Sequence, residues 1–196
     1  MSLINKVNII MPFSREEYKE ELIEMLEPLD ITLNIIEEFS TEWKYKDWIK
    51  SYSCWYLPFE WDPPYYKVNW FIQNRIIQDE EYYMFMGDDN LIDSKLINAI
   101  KECNTDLVFF SSYYNPYITL KLDLNNLDNS IKINNCSWYQ IALKGKVLKD
   151  IVFHNLYYAD GIMMETLYKN KSLTRTYLPN EYVKFNGLNK KWWNFS

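Results

Sequence analysis

The stretch from Tyr82 to Asp93, YYMFMGDDNLID, sets five apolar or aromatic residues before a glycine and two adjacent carboxylates, and a helix is expected to follow. A sheet strand can deliver acidic ligands to a metal ion in this way. Asp88 and Asp89, side by side after an apolar strand, repel one another and lose hydration, so something cationic should offset their charge. A divalent ion held against a phosphate would do so. The same residues, with Asn90, also fit a polar turn that caps the next helix. This segment alone leaves both readings open.

Upstream, Lys6 to Met11 (KVNIIM) reads as a buried strand ending at Pro12. Ser14 and Glu17 have capping-box spacing, and Tyr18, Leu22, Met25 and Leu26 recur at helical intervals, so a helix is expected from Ser14 until Pro28 closes it. Ile31 to Ile36 (ITLNII) reads as a second strand ending in Glu37 and Glu38. Strand, helix, strand is the unit that builds a parallel sheet. Between Trp43 and Phe71, twelve of 29 positions are Trp, Tyr or Phe, and core packing is the default use for most of them. A short helix is expected near Tyr45 to Lys50, then irregular chain, then a helix opening at Pro63-Pro64 and carrying Tyr66, Trp70, Ile72, Ile76 and Ile77.

Downstream, the pattern predicts a helix over Asp93 to Glu102 and an apolar strand at Asp106 to Phe110 (DLVFF). Tyr117 to Leu124 alternates like an antiparallel strand, and Asn125 to Asn135 reads as a polar turn region. A strand at Trp138 to Leu143, a short helix after Gly145, a helix from Ala159-Asp160-Gly161 to about Lys169 and a strand at Leu173 to Leu178 complete the chain. The expected architecture is α/β: a mostly parallel, Rossmann-related central sheet flanked by helices, with a small antiparallel element in the C-terminal half. Its 196 residues suit a single domain.

Composition removes several function classes. A net charge of −6 lacks the basic face that nucleic-acid phosphates require. Only four glycines are present, against the usual share of about 7%. No GxGxxG or GxxxxGK phosphate loop can be built from Gly87, Gly145, Gly161 and Gly187, which excludes Rossmann dehydrogenases and P-loop enzymes. Cys54, Cys103 and Cys136 are odd in number, widely spaced and accompanied only by His154, so neither zinc nor a disulfide framework is expected. No stretch approaches a signal peptide or a spanning helix, and a cytoplasmic protein is the expectation.

In an open parallel sheet, ligands gather at the carboxyl ends of the strands. Pro12 to Arg15, Glu37-Glu38 and Asp88-Asp89 would then meet at one rim. The order of NIIMPFS, IIEEFS, YYKVNWF and YYMFMGDD resembles the GT-A fold of nucleotide-sugar glycosyltransferases, particularly the large family-2-like group, over roughly the first 110 residues. By that resemblance residues 1–110 form the nucleotide-sugar-binding half and 111–196 the acceptor-binding half. Pro12, Phe13, Ser14 and Arg15 would border the nucleotide, Glu37 or Glu38 would contact its base, and Lys67 and Asn69 would line the same pocket. Asp89 corresponds to the metal ligand and Asp88 to a residue touching ribose or the metal shell, with Mn²⁺ or Mg²⁺ as cofactor and a UDP-sugar as the expected donor. The chain departs from the family at Gly87, where a further Asp often stands. An exposed helix face is the competing reading for Lys67 and Asn69.

The later segment SWYQIALKGKVLKDIVFHNLYYADGIMMETLY resembles the acceptor half of small enzymes of this fold, which implies an acid near a helix start as the base of an inverting transfer. Asp160 is the first candidate and Glu165 the second; an ionised carboxylate at a helix N-terminus is stabilised, and can take a proton from a hydroxyl. Asp160 also fits an N-cap. The implied acceptor is a glycan or a lipid-linked hydroxyl. His154 reads as a partly buried structural histidine. Trp192 and Trp193 beside Lys190 and Lys191 could touch a membrane surface peripherally, although such a tail more often folds back on the core. Lys144, Lys146 and Lys149 fit a solvated face better than a phosphate site. Two alternatives stand beside the transferase: a nucleotidyltransferase, for which MPFSRE is a poor triphosphate loop, and a non-catalytic carbohydrate-binding protein of the same fold.

Overall fold

A computed structural model describes residues 5–37, 46–54, 63–115, 118–133, 135–154, 158–184 and 187–188. The chain opens with strand β1 (Val7–Pro12), helix α1 (Lys19–Leu26), strand β2 (Thr32–Glu37), strand β3 (Ile49–Ser53) and helix α2 (Pro63–Asn74). The acidic strand β4 (Tyr82–Phe85) follows, then β5 (Leu91–Ile92), α3 (Ser94–Glu102), β6 (Leu107–Asn115) and β7 (Ile118–Leu120). The remainder is α4 (Leu127–Ser130), β8 (Ile141–Lys144), α5 (Gly145–Leu148), α6 (Ala159–Lys169) and β9 (Arg175–Lys184).

One nine-stranded sheet runs in the order β3-β2-β1-β4-β8-β6-β9-β5, with β7 beside β6. Every residue of β1 is buried, as suits a central strand covered on both faces. Alternate residues feed two cores. Ile10, Ile36, Phe85 and Phe109 face α2, α5 and α6. Ile9, Met11, Leu33, Ile35 and Met84 face α1 and α3. Dense aromatic packing fills the first core under the acidic turn: Phe85 stacks on Trp138 at 5.2 Å and Tyr65 on Phe153 at 5.3 Å.

Three expectations are corrected. The sheet is mixed rather than mostly parallel: four of its pairings are parallel and four antiparallel among the described residues. Strand β8 inserts between β4 and β6 and runs opposite to both, and an apolar run in sequence does not declare which neighbour it will take. Of the helix expected near Tyr45 to Lys50, Tyr45 lies outside the described residues, and Ile49 and Lys50 are extended, opening β3 parallel to β2 with Ile35 opposite Ser51. The capping box at Ser14 does not form: a 3-10 turn at Glu16–Tyr18 precedes α1, whose N-cap Tyr18 makes no side-chain cap. Ser14 is drawn elsewhere, to the charged Asp88, which offers a stronger hydrogen bond than a helix cap.

Candidate functional site

The register of β1 and β4 builds the site. These strands are parallel neighbours with Ile10 opposite Phe85, and Met86 N donates to Ile10 O at 3.1 Å. The loops leaving their carboxyl ends therefore lie side by side, Phe13 to Arg15 against Gly87 to Asn90. A four-residue turn closed by Asn90 N to Gly87 O at 3.2 Å presents the two carboxylates.

The two aspartates are buried to the same degree, each 4% exposed, but are held differently. Asp88 Oδ2 accepts from the Ser14 amide at 2.8 Å, the Arg15 amide at 2.9 Å and the Ser14 hydroxyl at 3.1 Å. Two successive backbone N–H groups converging on one oxygen make an anion nest, and Asp88 pins the first loop by filling it. Arg15 adds its guanidinium, with Nη1 3.4 Å from Asp88 Oδ1, and the same nitrogen ion-pairs with Asp89 Oδ2. Burial pushes the Asp89 carboxyl up, Asp88 adds to this, and Arg15 opposes both. Burial would lower the Arg15 guanidinium, but Asp88 and Asp89 together outweigh that and hold it above its ordinary value. The cation demanded by the acidic pair is thus present in the chain: it is Arg15, whose side chain is 43% exposed.

Lys67 is not on an exposed helix face. It is buried, and Nζ donates to Phe13 O at 2.9 Å, fixing the first loop from α2. Asn69, two residues on and so on the far side of α2, exchanges two hydrogen bonds with the Phe153 backbone: Nδ2 donates to O at 2.7 Å and Oδ1 accepts from N at 2.9 Å. Its amide ties α2 to the segment before α6. Phe13 itself is buried in the core, so only its backbone borders the rim. Pro12 ends β1 beneath it. Glu37 is buried at the carboxyl end of β2 and accepts from the Ser51 hydroxyl. Glu38 and the tail with Lys190, Lys191, Trp192 and Trp193 lie outside the described residues.

Gly87 has a steric explanation. A Cβ there would sit 3.2 Å from Asp89 Oδ1 and 3.2 Å from the Tyr139 hydroxyl, a tight fit in which both side chains would have to give by a few tenths of an ångström to admit an Asp. Tyr139 was not anticipated. Burial raises its hydroxyl pKa, and Asp89, Asp88 and Asp160 all raise it further, so this one hydroxyl lies in the field of the acidic pair and of the first turn of α6. Asp160 Oδ1 accepts from the Gly161 amide at 2.8 Å, and among the described residues Oδ2 takes no hydrogen bond. Asp160 sits inside the first turn of α6 rather than at its N-cap, which is Tyr158. Glu165 is tied up structurally: its carboxylate pairs with Lys169, which pulls its pKa down, and accepts from the Ile133 amide at 3.1 Å.

The remaining candidates lie elsewhere. His154 is exposed, not partly buried, and borders a cavity of about 510 Å³ between α5 and α6. Lys144 is buried, with Nζ donating to Glu80 O at 2.6 Å and Asn5 Oδ1 at 3.1 Å, so it is neither solvated nor a phosphate ligand. Lys146 and Lys149 are exposed and pair with Asp106 at 2.6 Å and Asp79 at 2.5 Å. Cys54, Cys103 and Cys136 are buried and form no disulfide among the described residues.

Among the described residues no group of three or more His, Cys, Asp or Glu converges as a metal cage. Two carboxylates are nevertheless a sufficient protein donor set for Mg²⁺ or Mn²⁺ when phosphate oxygens and water complete the shell. One guanidinium already reaches both Asp88 and Asp89, so a single cation at this place meets both groups. No family model matches the chain, and no curated protein does. Among the described residues no helix is long and apolar enough to cross a membrane.

Proposed function

We propose that the protein is a metal-dependent glycosyltransferase of GT-A-like fold, moving a sugar from a nucleoside diphosphate donor, with UDP as the first candidate, to a hydroxyl of a glycan or lipid-linked acceptor. The observation that carries this reading is the buried pair Asp88-Asp89 at the carboxyl end of a parallel strand, offset by an arginine that is close to half exposed. Parallel neighbours β1, β2 and β4 bring their carboxyl ends to this rim, where ligands of open α/β sheets bind.

Asp88 serves the loop and Asp89 serves the cation. With its nest interactions made, Asp88 holds Ser14 and Arg15 in place, while Asp89 has Arg15 as its ion-pair partner and is the group free to exchange it. Mn²⁺ or Mg²⁺ on Asp89, with Asp88 at its edge, would stabilise charge growing on the departing diphosphate. With a metal on the carboxylates, Arg15 would be free to offer its planar fork to the diphosphate oxygens, an anion that such a group matches well. Lys67 keeps the Phe13 carbonyl, and with it the loop, from following Arg15 outward. On the acceptor side Asp160 Oδ2 takes the proton of the attacking hydroxyl, and the Gly161 amide steadies the other oxygen.

Calorimetric titration of UDP and GDP with Mn²⁺, then with EDTA, tests the donor site. UDP binding that needs metal and is lost in Asp89→Ala is the expected result. Nucleotide binding indifferent to metal and to Asp89, or none at all, would overturn the reading and return the pair to a structural turn.

A further inference from the structure

At the opposite end of the same strands lies a second polar cavity of about 590 Å³, roofed by the C-terminal end of α2. Asn8, Asn34 and Lys50 occupy positions on β1, β2 and β3 whose neighbours on the same face are Ile10, Ile36 and Tyr52. Two adjacent strands thus place an amide where the core pattern calls for an apolar side chain, and the exposed amine of Lys50 on the edge strand stands beside them. Such a buried pair is unfavourable in a fold unless something uses it. Asn8 is 6% exposed and Asn34 3%. Their Nδ2 groups are satisfied: Asn8 donates to Glu81 Oε2 at 2.9 Å and Asn34 to Ile9 O at 3.3 Å. Among the described residues neither Oδ1 accepts a hydrogen bond, although both side chains line the cavity.

The charges point the same way. Arg75 stands over the Tyr52 ring at 4.2 Å and the Trp70 ring at 4.8 Å. Among the described residues neither it nor Lys50 has a carboxylate partner. Glu81 is the one carboxylate in the lining, and it already accepts from Asn8. The wall therefore offers two cations, the amide oxygens of Asn8 and Asn34 as acceptors for hydroxyl protons, and the apolar faces of Tyr52, Phe71 and Tyr83. We infer that this cavity binds a small anionic polyol, a pyranose-sized sugar bearing a carboxylate or a phosphate, with the anion on Lys50 and Arg75 and hydroxyls on Asn8 and Asn34. The site is separate from the acidic rim and does not depend on the donor-site reading.

Calorimetry with glucuronate, glucose 6-phosphate, glucose and inorganic phosphate tests it. One or both of the charged sugars should bind, with glucose and phosphate each weaker by about tenfold or more, since each lacks one half of the recognition. Whichever charged sugar binds more tightly identifies the anion. Arg75→Gln, at an exposed position that leaves folding intact, should weaken binding by about tenfold. Asn34→Leu should abolish it and raise the melting temperature, because a buried polar group kept for a ligand is replaced by an apolar one. Asp89→Ala should leave it unchanged, which separates failure here from failure of the donor site. Phosphate binding as tightly as the sugars, no binding of either charged sugar, or binding unaltered by Arg75→Gln would overturn the inference.

Discussion

At the scale of single residues, the cation is what the sequence left open. Adjacent buried carboxylates announce a need for positive charge, and that need was legible in YYMFMGDD. Its internal supplier was not, because Arg15 and Asp88 are 73 positions apart and only the β1–β4 pairing brings them together. Tyr139 was hidden for the same reason, since nothing in SWYQ marks its hydroxyl as a neighbour of Gly87. Asp106 offers a residue-level test away from the site. Partial burial pushes its carboxyl up, but Lys146 and the Thr174 amide and hydroxyl outweigh this and hold it below the usual aspartate range. A depressed native pKa contributes stability above the unfolded value of about 3.9 and loses it as pH falls through the native value. Asp106→Asn should therefore destabilise the protein by about 1–2 kcal/mol at neutral pH. The difference from wild type should shrink in urea melts taken below the native pKa. A gap that persists unchanged in acid would assign the effect to packing instead.

At the scale of elements, caps and helical spacing read well and strand partners did not. Helix α3 starts where Asp93 caps it, its side chain accepting from Lys95 N at 2.9 Å, and α2 starts at the predicted proline pair. Strand β3 escaped because IKSYS, at the sheet edge, carries no clean apolar alternation. Strand β9 reaches Lys184, six residues past the expected end, since its second half follows β6 through register shifts that no local pattern encodes. The junction of β8 and α5 carries a sharper prediction. Gly145 N donates to Glu81 O at 2.9 Å, and a Cβ on Gly145 would fall 2.0 Å from Gln78 O. Backbone cannot yield there as a side-chain tip could, so Gly145→Ala should lower stability by about 1–3 kcal/mol in urea unfolding. An unperturbed midpoint would mean that α5 packs less closely on the residue 78–81 turn than described.

At the scale of the whole molecule, one mixed sheet gives the chain two chemically distinct ends. At the carboxyl ends of β1, β2 and β4 lie buried carboxylates; near the amino ends of β1 to β4 lie Asn8, Asn34, Lys50 and Arg75. The first end was legible because its residues follow strands that are themselves legible. The second was not, since Asn8 and Asn34 look like minor breaks in apolar runs until the register aligns them on one face. Overall charge, −6, gives no hint of a basic pocket. On the proposed function, Arg15 occupies a cation site which a metal–diphosphate takes over. Titration of Mn²⁺ followed by electron paramagnetic resonance, with and without UDP, on wild type and Arg15→Ala tests it directly. Without UDP, Arg15→Ala should bind Mn²⁺ about threefold to tenfold more tightly, because an internal competitor worth about 1 kcal/mol is gone. With UDP, wild type should gain more affinity than the variant, since it keeps Arg15 for the diphosphate. Equal Mn²⁺ affinity in the two proteins, with no gain from UDP in either, would contradict the claim.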